Sequence, residues 1–260
     1  DDDERFVNVA ISVRHGKSEI ISIYTALWYL GMYPDRQVVI VSYSEDKAKE
    51  WGGRTMALFQ EFGQPLFGLS VDSNNASKTA WSIAGHKGGL RAVGVNGALT
   101  GRAIDLGIID DPIKNAEAAN SEAARNAMWD WYTTTFRTRI MPGGTVIVTM
   151  ARWSEDDLTG RIEANTDPEE GDPWEYIKMP AIAESPIGAD DDWVDEMGRH
   201  DGEPLWPEVW PLRRLERIRA SVGGEMSSTW MGLYQQNPVS AEGGMFKVAA
   251  SQDQLAVVIG

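Results

Sequence analysis

The chain has 260 residues, with 39 acidic and 24 basic side chains and a formal net charge of −15. Its length admits one or two domains, and 42% hydrophobic residues are enough to bury a real core, which excludes wholesale disorder. Cysteine is absent, which excludes disulfide scaffolds, thiolate zinc sites and cysteine nucleophiles; the three histidines (His15, His86, His200) are too scattered for a histidine metal cluster.

The longest apolar stretch, Ile20 to Leu30, falls well short of the roughly 20 residues a membrane span needs. The DDDE opening has the wrong charge for a signal peptide, so a soluble, non-secreted chain is expected. The acidity is local. Between Ser154 and Pro204 there are 17 acidic and 3 basic residues, and the rest of the chain is close to neutral. Net charge therefore does not exclude a DNA-binding face elsewhere.

In chain order, Phe6–Val13 reads as a buried strand, short, β-branched and uncharged. It runs through RHGKSE into a helix from about Lys17 to Leu30, ended by Gly31 and Pro34. Val38–Tyr43 is a second apolar strand. A helix from Glu45 to about Phe62 follows, with Gly52-Gly53 as a weak point. Trp81–Ala84 and Leu90–Val95 flank Gly88-Gly89 and read as a hairpin. Ile104–Asp110 and Thr145–Thr149 are further buried strands, separated by one aromatic-rich helix from about Ala116 to Ile140. Strands alternating with helices predict an α/β fold, with a mainly parallel sheet covered on both faces. Ser154 is expected to cap a short helix with Asp157 at its third position. Pro, Gly and Asp then dominate to about Pro207. Pro211–Val222 is a helix with Leu212, Leu215, Ile218 and Val222 on one face and Arg213, Arg214 and Arg217 on another.

Two places carry chemistry. The first is strand, then Arg14-His15-Gly16-Lys17-Ser18-Glu19, then helix. A helix N-terminus offers free N–H groups and a positive dipole to an anion. Gly16 lets the backbone approach a phosphate, Lys17 supplies a point charge, and Ser18 offers a hydroxyl to Mg²⁺. Ile11 occupies the first glycine position of the usual GxxxxGK[ST] pattern, so an ordinary strand-to-helix turn with a surface lysine is the competing reading. The second place is Leu106-Gly107-Ile108-Ile109-Asp110-Asp111, a buried strand ending in two carboxylates. Asp110 suits the Mg²⁺ hydration shell, and Asp111 suits orientation of an attacking water. Together they predict ATP hydrolysis. Arg14 can serve in cis; Arg102, just before the metal strand, can serve the same site or a neighbouring subunit's, or form a surface ion pair. Thr149, ending the next strand, is placed to sense the γ-phosphate.

The strings VRHGKSE, ALTGRAIDLGIIDDPIKN, TMARWSEDDLTGRI, LWPEVWPLRRLERIR and LYQQNP, taken in order, resemble the ATPase part of the tailed-phage terminase large subunits, the DNA-packaging motors. The resemblance implies an additional-strand P-loop ATPase over 1–165, an acidic loop-rich segment with a linker subdomain over 166–240, and over 241–260 a tail or the start of an RNase H-like nuclease. It places Arg14, His15, Gly16, Lys17, Ser18 and Glu19 on the divergent Walker A, Ser18 and Asp110 at the metal, Asp111 at the catalytic acid and Thr149 at the coupling motif. Arg102 falls at a candidate trans-acting finger. Many relatives carry Glu at the position of Asp111 and His at that of Ser154. The implied cofactors are ATP and Mg²⁺. The implied partners are double-stranded DNA held without sequence preference, the portal and procapsid, a small terminase subunit and further copies in a ring, all in the host cytoplasm and away from any membrane. Only 22 residues follow Pro238, so no nuclease activity is expected from this chain, although Asp253 could be the first metal acid of such a domain. A helicase-like or other DNA-dependent P-loop ATPase is the alternative, and a degenerate, non-enzymatic capsid adaptor is a third reading. Arg213, Arg214 and Arg217, or Arg137 and Arg139, are candidate DNA-phosphate contacts.

Overall fold

The computed structural model describes residues 4–99, 103–167, 169, 171–190 and 192–239. Eight strands form one sheet: β1 (Arg5–Ile11), β2 (Gln37–Ser42), β3 (Val71–Ser77), β4 (Ala80–Ile83), β5 (Gly89–Gly94), β6 (Ile104–Asp110), β7 (Ile140–Thr149) and β8 (Trp174–Met179). Their order is β3-β4-β5-β2-β6-β7-β1-β8. From β5 to β8 every neighbour is parallel, and among the named strands only β4 runs against the rest, antiparallel to β3 on one side and β5 on the other. β7 lies between β1 and β6, the additional strand of this class of P-loop fold.

Side chains alternate across the pleat, and both faces are covered. Val38 and Ile40 join the core beneath α1 (Thr25–Met32) and α2 (Glu45–Phe67), with Leu27, Leu30, Trp51 and Phe59. Val39 and Val41 face the opposite core, with Met128, Tyr132 and Phe136. A third, small core joins Ala181 and Ile182 to Leu215, Trp230 and Met231.

Several elements differ from expectation. α2 extends to Phe67 and stops at Gly68, which adopts φ +72. Gly52 is no weak point but a close approach: an added Cβ would lie 2.3 Å from the Lys78 carbonyl oxygen. The expected helix from Ala116 to Ile140 is divided. α3 (Ala116–Asn120) ends at Ser121, whose hydroxyl caps α4 (Glu122–Trp131), and one wide turn (Tyr132–Phe136) and one tight turn (Arg137–Arg139) follow. Asp157, not Ser154, caps α5 (Leu158–Asn165), because its carboxylate accepts both Gly160 N–H and the buried Arg152 guanidinium. β3 and β8 were unforeseen. β8 pairs with β1 from Phe6–Trp174 to Ile11–Met179, so the sheet extends past residue 165 into the segment expected to be linker. α6 (Leu212–Ser221) forms as expected, with Leu215 fully buried. Arg102, Asp253 and the 241–260 segment lie outside the described residues.

Candidate nucleotide site

β1 and β6 are parallel, both flanking β7, so their C-terminal ends emerge on the same edge of the sheet. Ligand sites in open α/β sheets gather at such edges. After β1 the backbone turns sharply. Arg14 (φ +64) and Gly16 (φ +83) both adopt the left-handed conformation. Glycine does so freely, whereas an arginine there is strained. The helix begins at once, with a wide turn over Glu19–Tyr24 that leads into α1. Wide turns of this kind inside helices recur at functional sites.

Lys17 is the meeting point. Its Nζ lies 3.2 Å from Asp110 Oδ1 and 2.6 Å from Asp111 Oδ1, with the lysine side chain 8% exposed. Asp110 is 1% exposed. Ser18 Oγ donates to its Oδ1 (3.1 Å) and Ser22 Oγ to its Oδ2 (2.9 Å). Burial pushes the Asp110 carboxyl up, against the downward pull of Lys17 and with a further push from the Asp111 charge. Asp111 has φ +44 and a side chain 37% exposed; Ala151 N–H donates to its Oδ1 at 2.7 Å. One acid is thus sunk in the protein and the other stands at the mouth, both within reach of the turn.

The remaining predicted residues are dispersed around this point. The Thr149 hydroxyl is buried and donates to the Val9 carbonyl (2.8 Å), while the Thr149 carbonyl accepts Asp111 N–H (3.0 Å). Its hydroxyl thus serves the β1 backbone and does not project from the strand end. Glu19 turns away from the turn and takes both oxygens to Arg54 of α2 at 2.7 Å. The Arg14 side chain is exposed. His15 is buried, with Nδ1 2.9 Å from the Val13 carbonyl, and burial pushes its imidazole down. That pairing requires the proton on Nδ1. Arg137 is tied to Glu4 and Asp172, and Arg139 to the carbonyls of Leu99 and Thr135, so neither guanidinium is free for DNA. Arg213 and Arg217 are exposed on α6 with no ion pair among the described residues.

Ser22 was missed in the sequence, although its spacing of four from Ser18 puts both on one helical face. Trp210 was missed too. Its indole stacks on His15, with centroids 5.4 Å apart, and donates to the Arg14 carbonyl at 3.3 Å. No local pattern announces a contact that depends on how a distant segment returns.

The oxygen set suits Mg²⁺. Ser18 and Asp110 are hard donors on adjacent elements, and Mg²⁺ is held by one or two protein carboxylates together with phosphate oxygens and water. Among the described residues no group of three or more His, Asp or Glu could hold a metal by itself, so phosphate would complete the shell. Ser42 lies one residue beyond the Val41–Ile109 pair, on the face that Asp110 shares. Its hydroxyl is buried and has no hydrogen-bond partner among the described residues, a further oxygen suited to ordered water.

The fold is that of the additional-strand P-loop class of α/β proteins. The family described as terminase large subunit, T4likevirus-type, N-terminal, matches residues 8–252, and the chain belongs to it. Two structures of the large terminase ATPase domain of Thermus phage P74-26, one of them a single-residue variant, share its fold. Each is 15% identical; the variant has TM-score 0.55 and covers 91% of this chain and 89% of its own, the other TM-score 0.51 over 91% and 88%. The large terminase of bacteriophage HK97 is similar at 15% identity and TM-score 0.45, over 72% of this chain; the match spans 37% of that protein's length. Among curated proteins no match is found.

Proposed function

We propose that this chain is the ATP-hydrolysing part of a phage packaging motor, which drives double-stranded DNA into a procapsid. One observation carries the reading. Lys17 from the turn after β1 contacts both Asp110 and Asp111 at the end of β6, in a chain of the terminase family.

Bound Mg²⁺, held by Ser18 and Asp110, would neutralise charge on the phosphate oxygens. The chain's own residues do the rest. Lys17 now neutralises two carboxylates and must leave at least one of them to reach the β and γ oxygens. Ser22 keeps Asp110 Oδ2 occupied, which leaves Oδ1 turned toward Ser18. Ala151 N–H fixes Asp111 at the solvent-facing mouth, where a carboxylate can orient water. Arg14 supplies cationic charge in cis, and Arg102 supplies it from the same or a neighbouring subunit. Thr149 is bonded to both Val9 and Asp111, so displacement of the acid is carried into β1. Arg213 and Arg217 grip DNA phosphates without reading sequence. The active form is a ring on the portal, in the host cytoplasm and fed by a small subunit, and the nuclease of the whole protein lies elsewhere.

The test is phosphate release by the chain with and without Mg²⁺. Lys17→Ala should lower turnover by roughly two orders of magnitude or more, the scale of removing one transition-state donor. Unchanged turnover removes this lysine from the mechanism. A strand-displacement assay separates the motor from a helicase: duplex DNA should move without unwinding.

A further inference from the structure

We propose that Trp210, at the entrance to α6, is a positioning residue for the phosphate-binding turn, so that nucleotide affinity depends on where the small C-terminal core sits. The proposal rests on the nucleotide reading above and names what holds the turn in its bound shape.

Arg14 adopts a left-handed conformation that a non-glycine residue holds only when its surroundings enforce it. Trp210 supplies that enforcement. Its indole N–H is donated to the Arg14 carbonyl at 3.3 Å, and its ring lies against the His15 imidazole, tilted by 27°. The Arg214 guanidinium lies 4.2 Å from the centroid of the same indole, a cation–π contact that ties it to α6. A second strap comes from the same segment: Val13 N–H donates to the Leu233 carbonyl at 3.1 Å. Both straps lead to one small core. Leu215 of α6 packs there with Trp230 and Met231, and Ile218 and Tyr234 lie against it. The Gln235 side chain pairs with both Ile182 N–H (3.2 Å) and the Ile182 carbonyl (3.0 Å), locking the strap to the segment after β8. Moving this core therefore pulls directly on the turn.

The experiment is titration of the chain with fluorescent methylanthraniloyl-ADP. Trp210→Ala should weaken binding by about tenfold, the scale set by loss of support for one strained residue. Trp210→Phe keeps a stacking ring and loses the N–H donor, and should weaken it less. The distinguishing readout is the backbone. Glycine adopts a positive φ without help, so the Trp210→Ala deficit should shrink several-fold in an Arg14→Gly background and persist in an Arg14→Ala background. Equal affinity of Trp210→Ala and the unmodified chain, or equal deficits in the two Arg14 backgrounds, overturns the proposal. If Trp210→Ala does not fold, the same comparison with Trp210→Phe decides it. An unmodified chain that binds no nucleotide overturns the nucleotide reading itself, and the proposal with it.

Discussion

Lys17 and Asp110 are buried opposite charges, and their attraction is set against the desolvation of both. For Asp110 desolvation wins, since burial raises its carboxyl despite the lysine. A raised folded value means that the folded protein holds this proton more tightly than the unfolded chain. The stability that Asp110 contributes is therefore full below the ordinary carboxylate range and lost as pH rises through the folded value. Asp110→Asn should melt at neutral pH no lower than the parent, because Lys17 keeps Asp111 at 2.6 Å, while turnover is lost. Melting temperatures across pH check this: the parent should gain on the variant as pH falls, and a large loss in the variant at neutral pH would make the pair a net structural support. Sequence made the positions of Lys17, Asp110 and Asp111 legible, because a turn between an apolar strand and a helix and a doubled acid at a strand end are local signals. It did not tell where Glu19 and Thr149 point, since an element fixes a residue's face and not which neighbour its side chain reaches.

The interior strands were legible because both faces are buried and their runs are continuously apolar. The two missed strands are the sheet's edges. β3 (VDSNNAS) is polar and largely exposed, and β8 (WEYIKM) alternates inside the acidic stretch. The division of α3 from α4 rests on Ser121 closing one helix and capping the next, a choice tertiary packing makes. Gly52 and Gly53 invite a paired test on α2. Gly52→Ala would press a methyl against the Lys78 carbonyl oxygen (2.3 Å) and Ala92 Cβ (2.8 Å), and should cost about 1–3 kcal/mol. Gly53→Ala meets only the flexible Lys78 side chain, and should gain up to about 1 kcal/mol from helix propensity. Denaturant midpoints measure both, and equal effects would contradict the assigned packing.

Across the whole molecule, the acidic residues between Ser154 and Pro204 leave a nearly neutral body that carries the proposed nucleotide site, with Arg213 and Arg217 exposed on α6. If Arg102 acts on a neighbour's nucleotide, mixing Arg102→Ala with Asp111→Asn protein should restore part of the phosphate release, through interfaces that pair one intact finger with one intact acid. No recovery assigns Arg102 a role within its own subunit.

The central claim is that the turn after β1 and the end of β6 make one hydrolytic site. The most direct measurement is nucleotide binding and phosphate release by Asp111→Asn under the same conditions. Binding close to the parent's with turnover reduced by roughly two orders of magnitude is the predicted result. Undiminished turnover in this variant would contradict the account.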